Sequence, residues 1–240
     1  NLRSAIVLVC IGIGGYVVAL GVSRWDWGFG QIILVVLAFG LGLGLIYGLL
    51  CQRVHGIYLL LMTLALGQAV WGLAFQNVRL TGGDMGVSGV FRQIIPFDVT
   101  TREDFHVFAV IVCSAIIALL WWFMVSPVGK AIVGVRESET RMASLGFNVS
   151  FYKVAAFVVS GVACALAGAM YAFQQGFVGV DNLEWTMSAL VLLAAIVGGS
   201  RHFLGPAIGI AVIIALEAYI MEFTERYMTY MGIFYMIVIL

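Results

Sequence analysis

Apolar residues in this 240-residue chain run on with little interruption until short polar stretches stop them. Such runs lie at 5–22, 31–50, 57–75, 105–125, 154–173 and 203–222, with a shorter one at 186–200 and an eighth that begins near 228. A helix of about 20 apolar residues crosses the hydrocarbon layer of a bilayer. The first five runs contain no Asp, Glu, Lys or Arg, and none shows the in-out alternation of a membrane barrel. The pattern predicts an all-α integral membrane protein, a polytopic bundle of about eight transmembrane helices forming a single domain over 1–240. The chain begins at Asn1 rather than Met and stops inside an apolar run at Leu240, so it reads as trimmed at both ends.

Composition makes lipid the solvent. Of all residues, 63% are hydrophobic and 10% charged, too few charges to solvate the surface of a soluble domain. The net charge is zero and no basic cluster is large enough to hold phosphates, which excludes nucleic acid as a partner. Threading eight spans puts Arg3, Arg53, Lys130, Arg136, Arg141, Lys153 and Arg201 on one side. Arg24, Arg79, Arg92, Arg102 and Arg226 fall on the other. The more basic side faces the cytoplasm, which makes 126–153 a cytoplasmic loop. Small residues recur four apart as Gly40, Gly44 and Gly48, as Ser160, Cys164, Gly168 and Ala172, and as Gly205 and Gly209. Such stripes let helix backbones approach closely.

Chemistry is sparse. Cys10, Cys51, Cys113 and Cys164 form no CxxC pair and read as packing residues. His55, His106 and His202 lack metal-ligand spacing. Nothing pairs a nucleophile with a base, so no enzyme, metal or cofactor is expected. Glu217 is the acid set well inside an apolar run, about 7–8 Å of helical rise before Glu222; it reads either as a structural hydrogen-bonding group or as a functional intramembrane acid. The stretch LTGGDMGVSGV, with Thr81, Gly82, Gly83, Asp84, Gly86, Ser88 and Gly89, has glycines that free backbone for an irregular turn at membrane depth. On composition alone an ordinary exposed turn is the better reading.

The block RESETRMASLGFNV, 136–149, is the most charged short stretch and is flanked by Lys130 and Lys153. A helix is predicted over 135–145. Glu137 stands four residues before Arg141, the favourable order for an ion pair; Val135, Met142 and Leu145 share a face, and Gly146 is a natural stop. On these residues alone it is a short amphipathic helix at the mouth of the bundle, or a solvated loop helix.

Three linked stretches carry a resemblance. LTGGDMGVSGV, VGKAIVGVRESETRMASLGFNVSFYKVAAFVVSGVACALAGAMYAF and LLAAIVGGSRHFLGPAIGIAVIIALEAYI follow one another along the chain in one family's order. They resemble the LivM-like permease subunits of branched-chain amino-acid ABC importers over roughly 30 to 240. Val87 stands where that family usually has Leu. The resemblance implies a coupling helix that docks on an ATPase, carried here by Arg136, Glu137, Glu139, Arg141, Met142, Ala143, Leu145 and Gly146, and a substrate path near the Thr81–Gly89 loop.

It further implies a second homologous permease chain, two ATP-binding cassette subunits, a soluble substrate-binding protein, and residence in a bacterial inner membrane. No GxxxxGK[ST] loop occurs, Met124 standing where the first glycine would, so ATP would be hydrolysed by partner subunits. Urea or short amides remain open as cargo, as does an ion-coupled secondary transporter that uses Glu217. The charge distribution makes a topological prediction: with Ser138→Cys, an impermeant thiol reagent labels only from the cytoplasmic side, and with Thr101→Cys only from outside. Labelling of Ser138→Cys in intact cells would reverse the orientation.

Overall fold

The computed structural model describes residues 4–25, 27–52, 54, 57–88, 102–179, 191, 193–199, 204–223 and 227–239. Two compact units divide the chain, Leu2–Trp185 and Thr186–Leu240. The sequence reading places one domain over the same range.

In the first unit, α1 (Ser4–Trp25), α2 (Phe29–Cys51) and α3 (Ile57–Gln76) follow one another. A short α4 (Val78–Thr81), a 3-10 turn (Gly83–Met85) and the strand β1 (Val87–Ser88) come next. Then come α5 (Arg102–Val125), α6 (Pro127–Glu137), α7 (Glu139–Ser144), α8 (Val149–Gln175) and β2 (Phe177–Val178). In the second unit, residues 193–197 are helical and precede α9 (Gly205–Phe223) and α10 (Tyr227–Ile239).

Each described run expected to be apolar and helical is a helix. By length and composition, four of the described helical segments suffice to cross a membrane: Phe29–Cys51, Asp104–Val125, Val149–Gln175 and Gly205–Glu222. Cys10–Trp25 and Leu61–Gln76 are shorter apolar stretches, so the described residues do not reach eight crossings on that measure. Most of the short run 186–200 lies outside the described residues.

The core of the first unit is α8 held between α1 and α2. Its buried face reads Phe157, Gly161, Ala165, Gly168, Ala169 and Ala172, small residues one helical turn apart. Gly40, Gly44 and Gly48 of α2 lie against it. A Cβ at Gly44 would stand 2.7 Å from the Cα of Val158, and one at Gly161 would stand 2.7 Å from the carbonyl oxygen of Gly40. On the other side, a Cβ at Gly14 would collide with the Ala165 carbonyl and one at Gly168 with that of Ile11. Of the stripe expected as Ser160, Cys164, Gly168 and Ala172, Gly168 and Ala172 lie on the buried face, where Gly161 and Ala165 join them; Ser160 and Cys164 are half-buried, Cys164 packing on the Cys10–Tyr47 cluster. Cys10 and Cys51 are buried beside Tyr47 and Phe157 as packing residues, whereas Cys113 is exposed on α5.

The second unit repeats the device. Gly205 and Gly209 of α9 abut Gly198 and Ala194 so closely that a Cβ at either glycine would collide with backbone, and Ala194 and Ile213 centre a small apolar cluster.

The largest correction falls on the polar block. The single helix expected over 135–145 is two helices. Ser138 is extended (φ −157°, ψ 103°), ends α6 and caps α7, its Oγ accepting from the Arg141 N–H at 3.4 Å. A short polar side chain that bonds neighbouring backbone favours a cap over a helix interior. Glu137 and Arg141 now sit on different helices, and the pair expected between them does not form. Val135, Met142 and Leu145 share no face: Val135 is 5% exposed on α6, Met142 packs over Gly134, and Leu145 is 67% exposed. Helix α6 was not expected over its first two turns, although Ser126 before Pro127 is a start signal. The Gly129 N–H donates to Ser126 Oγ at 3.3 Å.

The α2–α8 contact sets an expected outcome. Gly44→Val forces a side chain into the backbone of α8 and lowers the stability of the detergent-solubilised protein by about 1–3 kcal/mol, read as a lower thermal midpoint. Gly42→Ala, where a Cβ meets nothing within 4 Å, leaves the midpoint unchanged or raised.

Candidate functional site

The residues singled out in the first unit gather at the two ends of α8. At its N-terminal end, Asn148 caps the helix by accepting from the Phe151 N–H at 3.3 Å. The helix therefore starts at Val149, five residues before the apolar run, and takes Lys153 into its first turns. Lys153 is 7% exposed and its Nζ lies 2.7 Å from Oε2 of Glu139 on α7. A lone ammonium buried this way costs several kcal/mol, and a close carboxylate offsets much of that. Glu139 thus faces its own bundle.

Helix α7 has no buried residue. It ends in a doubly bonded turn: the Gly146 N–H donates to the Ala143 carbonyl at 3.0 Å and the Phe147 N–H to the Met142 carbonyl at 3.1 Å. Gly146 holds φ +84°, a left-handed conformation that favours glycine. Beyond this turn Leu145, Phe147 and Phe151 point away from the bundle, and Tyr152 meets both phenyl rings edge-on at 5.9 and 5.5 Å. Sequence reasoning missed Phe147 and Phe151; two aromatics flanking the Asn148 cap were the available signal.

At the C-terminal end, α8 stops at Gly176 and continues as β2, which pairs antiparallel with β1: Val87 faces Val178 and Ser88 faces Phe177. This short pairing ties the glycine loop to α8. Thr81 organises the loop from inside, its hydroxyl donating to the Ala74 carbonyl at 2.6 Å and accepting from the Gly83 N–H at 3.3 Å. Gly86 holds φ +63°, and a Cβ there would stand 2.5 Å from the Val178 carbonyl oxygen. Asp84 lies in the 3-10 turn and Ser88 in β1; Gly89 lies outside the described residues. Gln175, at the same end, donates to the Tyr171 hydroxyl at 3.2 Å.

Two features stand apart. Glu217 is half-buried on α9, in the second unit. A cavity of about 250 Å³ opens between α2, α5 and α8, lined by Phe29, Ile32, Val36, Phe108, Ala169 and Phe173 among others. Its walls are apolar throughout, so it offers no partner to a charged amino acid. Among the described residues no three His, Cys, Asp or Glu side chains gather as metal ligands.

Four helices long and apolar enough to cross a membrane dominate the described residues. The sequence profile of the branched-chain amino acid transport system permease component family matches residues 8–240. The chain belongs to this family.

Curated relatives agree. The high-affinity branched-chain amino acid transport system permease protein LivM of Salmonella typhimurium is 26% identical over 245 residues, covering 92% of this chain and 57% of the relative. LivM of Escherichia coli shows the same figures. A probable branched-chain amino acid transport permease protein LivM of Methanocaldococcus jannaschii is 26% identical over 192 residues, 76% of this chain and 54% of the relative. The chain thus spans 57% of the length of the first two. No solved structure matches it. As a permease-family member with several apolar helices, it is a multi-pass membrane protein.

The loop geometry of this permease gives a test. Gly86→Ala must both leave the left-handed region and push into Val178, so it disrupts the β1–β2 pairing and speeds limited proteolysis of the loop. Gly146→Ala, with open space around it, costs only the backbone strain of about 1–2 kcal/mol and leaves loop proteolysis unchanged.

Proposed function

We propose that this chain is the transmembrane permease subunit of an ATP-driven importer for branched-chain or related amino acids. It forms the translocation path with a second permease chain. It takes substrate from a soluble binding protein on one face and couples to two ATPase subunits at 136–149 on the other, in a bacterial inner membrane. Family membership supports the cargo class. The observation that carries the coupling is the segment Leu145–Phe151, which presents apolar side chains outward from an otherwise polar turn whose backbone is capped at both ends. A rigid, exposed, apolar point amid charges is how a small interface anchors a partner.

On this reading Leu145 is the anchor and Met142, folded onto α6, supports it from within. Arg136, Glu137 and Arg141 form the rim. The Thr81–Ser88 loop lines the path on this reading. Two measurements test the proposal. Ligand binding by the soluble protein of the same transport system identifies the cargo, and selective binding of urea or a short amide would replace amino acids in that role. Leu145→Asp places an unpaired charge in the interface and weakens association with the ATPase by about 2 kcal/mol or more, whereas Glu137→Gln on the rim does little. Full assembly and uptake by Leu145→Asp would refute the coupling site.

A further inference from the structure

We propose that the Glu139–Lys153 ion pair is the joint through which movement of α7 reaches α8, and that α8 carries this movement to the Thr81–Ser88 loop. The inference rests on the importer reading above and names the residues that transmit its stroke.

Helix α7 is six residues long and buries none of them. On its N-terminal side the chain bends at extended Ser138, and on its C-terminal side it turns at Gly146. Between these two bends Met142 packs α7 onto Gly134 of α6, a contact that does not reach α8. The ion pair does reach it. It joins Glu139, the first residue of α7, to Lys153 in the second turn of α8, at 2.7 Å. With the chain link through 145–148 it makes a second attachment of α7 to α8, and two attachments fix an orientation where one does not.

Burial is what makes the joint stiff. Exposed pairs are loosely held and screened by salt. Here the ammonium is 7% exposed while the Glu139 side chain keeps 36%, so the cost of separating the pair falls on Lys153, which has little water to replace its partner.

Helix α8 is unbroken over its 27 residues, Val149–Gln175, and the stretch 154–175 beyond the joint rises about 33 Å at helical pitch. Its small-residue face against α1 and α2 presents few protruding side chains to lock it in register, which suits the small sliding of packed helices seen in shear motions. Its far end is hydrogen-bonded through Val178 and Phe177 to Val87 and Ser88, so a shift of α8 pulls on the loop that Thr81 and Gly86 shape.

The test uses the assembled transporter in proteoliposomes, with its binding protein and a cargo amino acid, and reads uptake per ATP hydrolysed together with retention of the ATPase. Glu139→Gln and Lys153→Gln are each expected to retain the ATPase and its hydrolysis while uptake per ATP falls by roughly tenfold, the scale of a typical coupling energy. Exchanging the charges, Glu139→Lys with Lys153→Glu, restores much of the loss. A merely structural pair would lower the amount of folded complex and leave that ratio alone. If Lys153→Gln fails to insert, Glu139→Gln at its half-exposed site decides. Uptake per ATP within about twofold of the unaltered protein in Glu139→Gln, or an exchange variant no better than the worse single one, overturns the joint. Failure of the unaltered chain to bind any ATPase overturns instead the importer reading on which it rests.

Discussion

Lipid tails are as apolar as leucine, so burying leucine between two helices in a bilayer gains little. What holds this protein's first unit together is close backbone approach, which side chains larger than a methyl group would prevent. Helix α8 approaches α2 at Gly40, Gly44, Gly48 and Gly161, and α1 at Gly14 and Gly168. Dispersion between well-fitted backbones accumulates where hydrophobic driving force is absent. The large apolar residues face outward in consequence: Leu34, Leu119 and Trp122 are exposed because lipid is their solvent.

From that packing the rest of the unit takes its positions. With α8 packed along its length between α1 and α2, its two ends take defined places at opposite ends of the apolar core. The glycine loop is stitched to one end by β1 and β2, and the polar segment 136–149 is pinned to the other by Lys153. A buried lysine would be a liability in such a bundle. Here it is tolerable because Glu139 meets it, and the pair turns a loop helix into part of the scaffold. The same bond withdraws Glu139 from the surface offered to a partner and leaves Leu145, Phe147 and Phe151 as its apolar features.

Glu217 illustrates how position changes meaning. Along the chain it is a solitary acid in an apolar run. In the structure it is a half-buried residue of α9 in the second packing unit, whose apolar cluster centres on Ala194 and Ile213.

Much was legible in the chain itself. Hydrophobic run length determines helices in lipid, because every backbone amide must be satisfied within its own segment; the described apolar runs accordingly became α1, α2, α3, α5, α8, α9 and α10. Glycine spacing announced α2 as a close-packing helix, and Gly146 announced a stop. Tertiary structure decided what depends on contacts between distant residues. It set the rotation of α8, where Gly161 and Ala165 join the expected Gly168 and Ala172 on the buried face, because the approach of two other helices selects the face. It set the burial of Lys153, since a charge reads as solvated until a carboxylate 14 residues away is seen to meet it. It paired Val87 with Val178, a two-residue ladder with no local signature. And it split 135–145 at Ser138, because a hydroxyl that can cap or sit mid-helix takes whichever role the packing of α6 beneath Met142 leaves open.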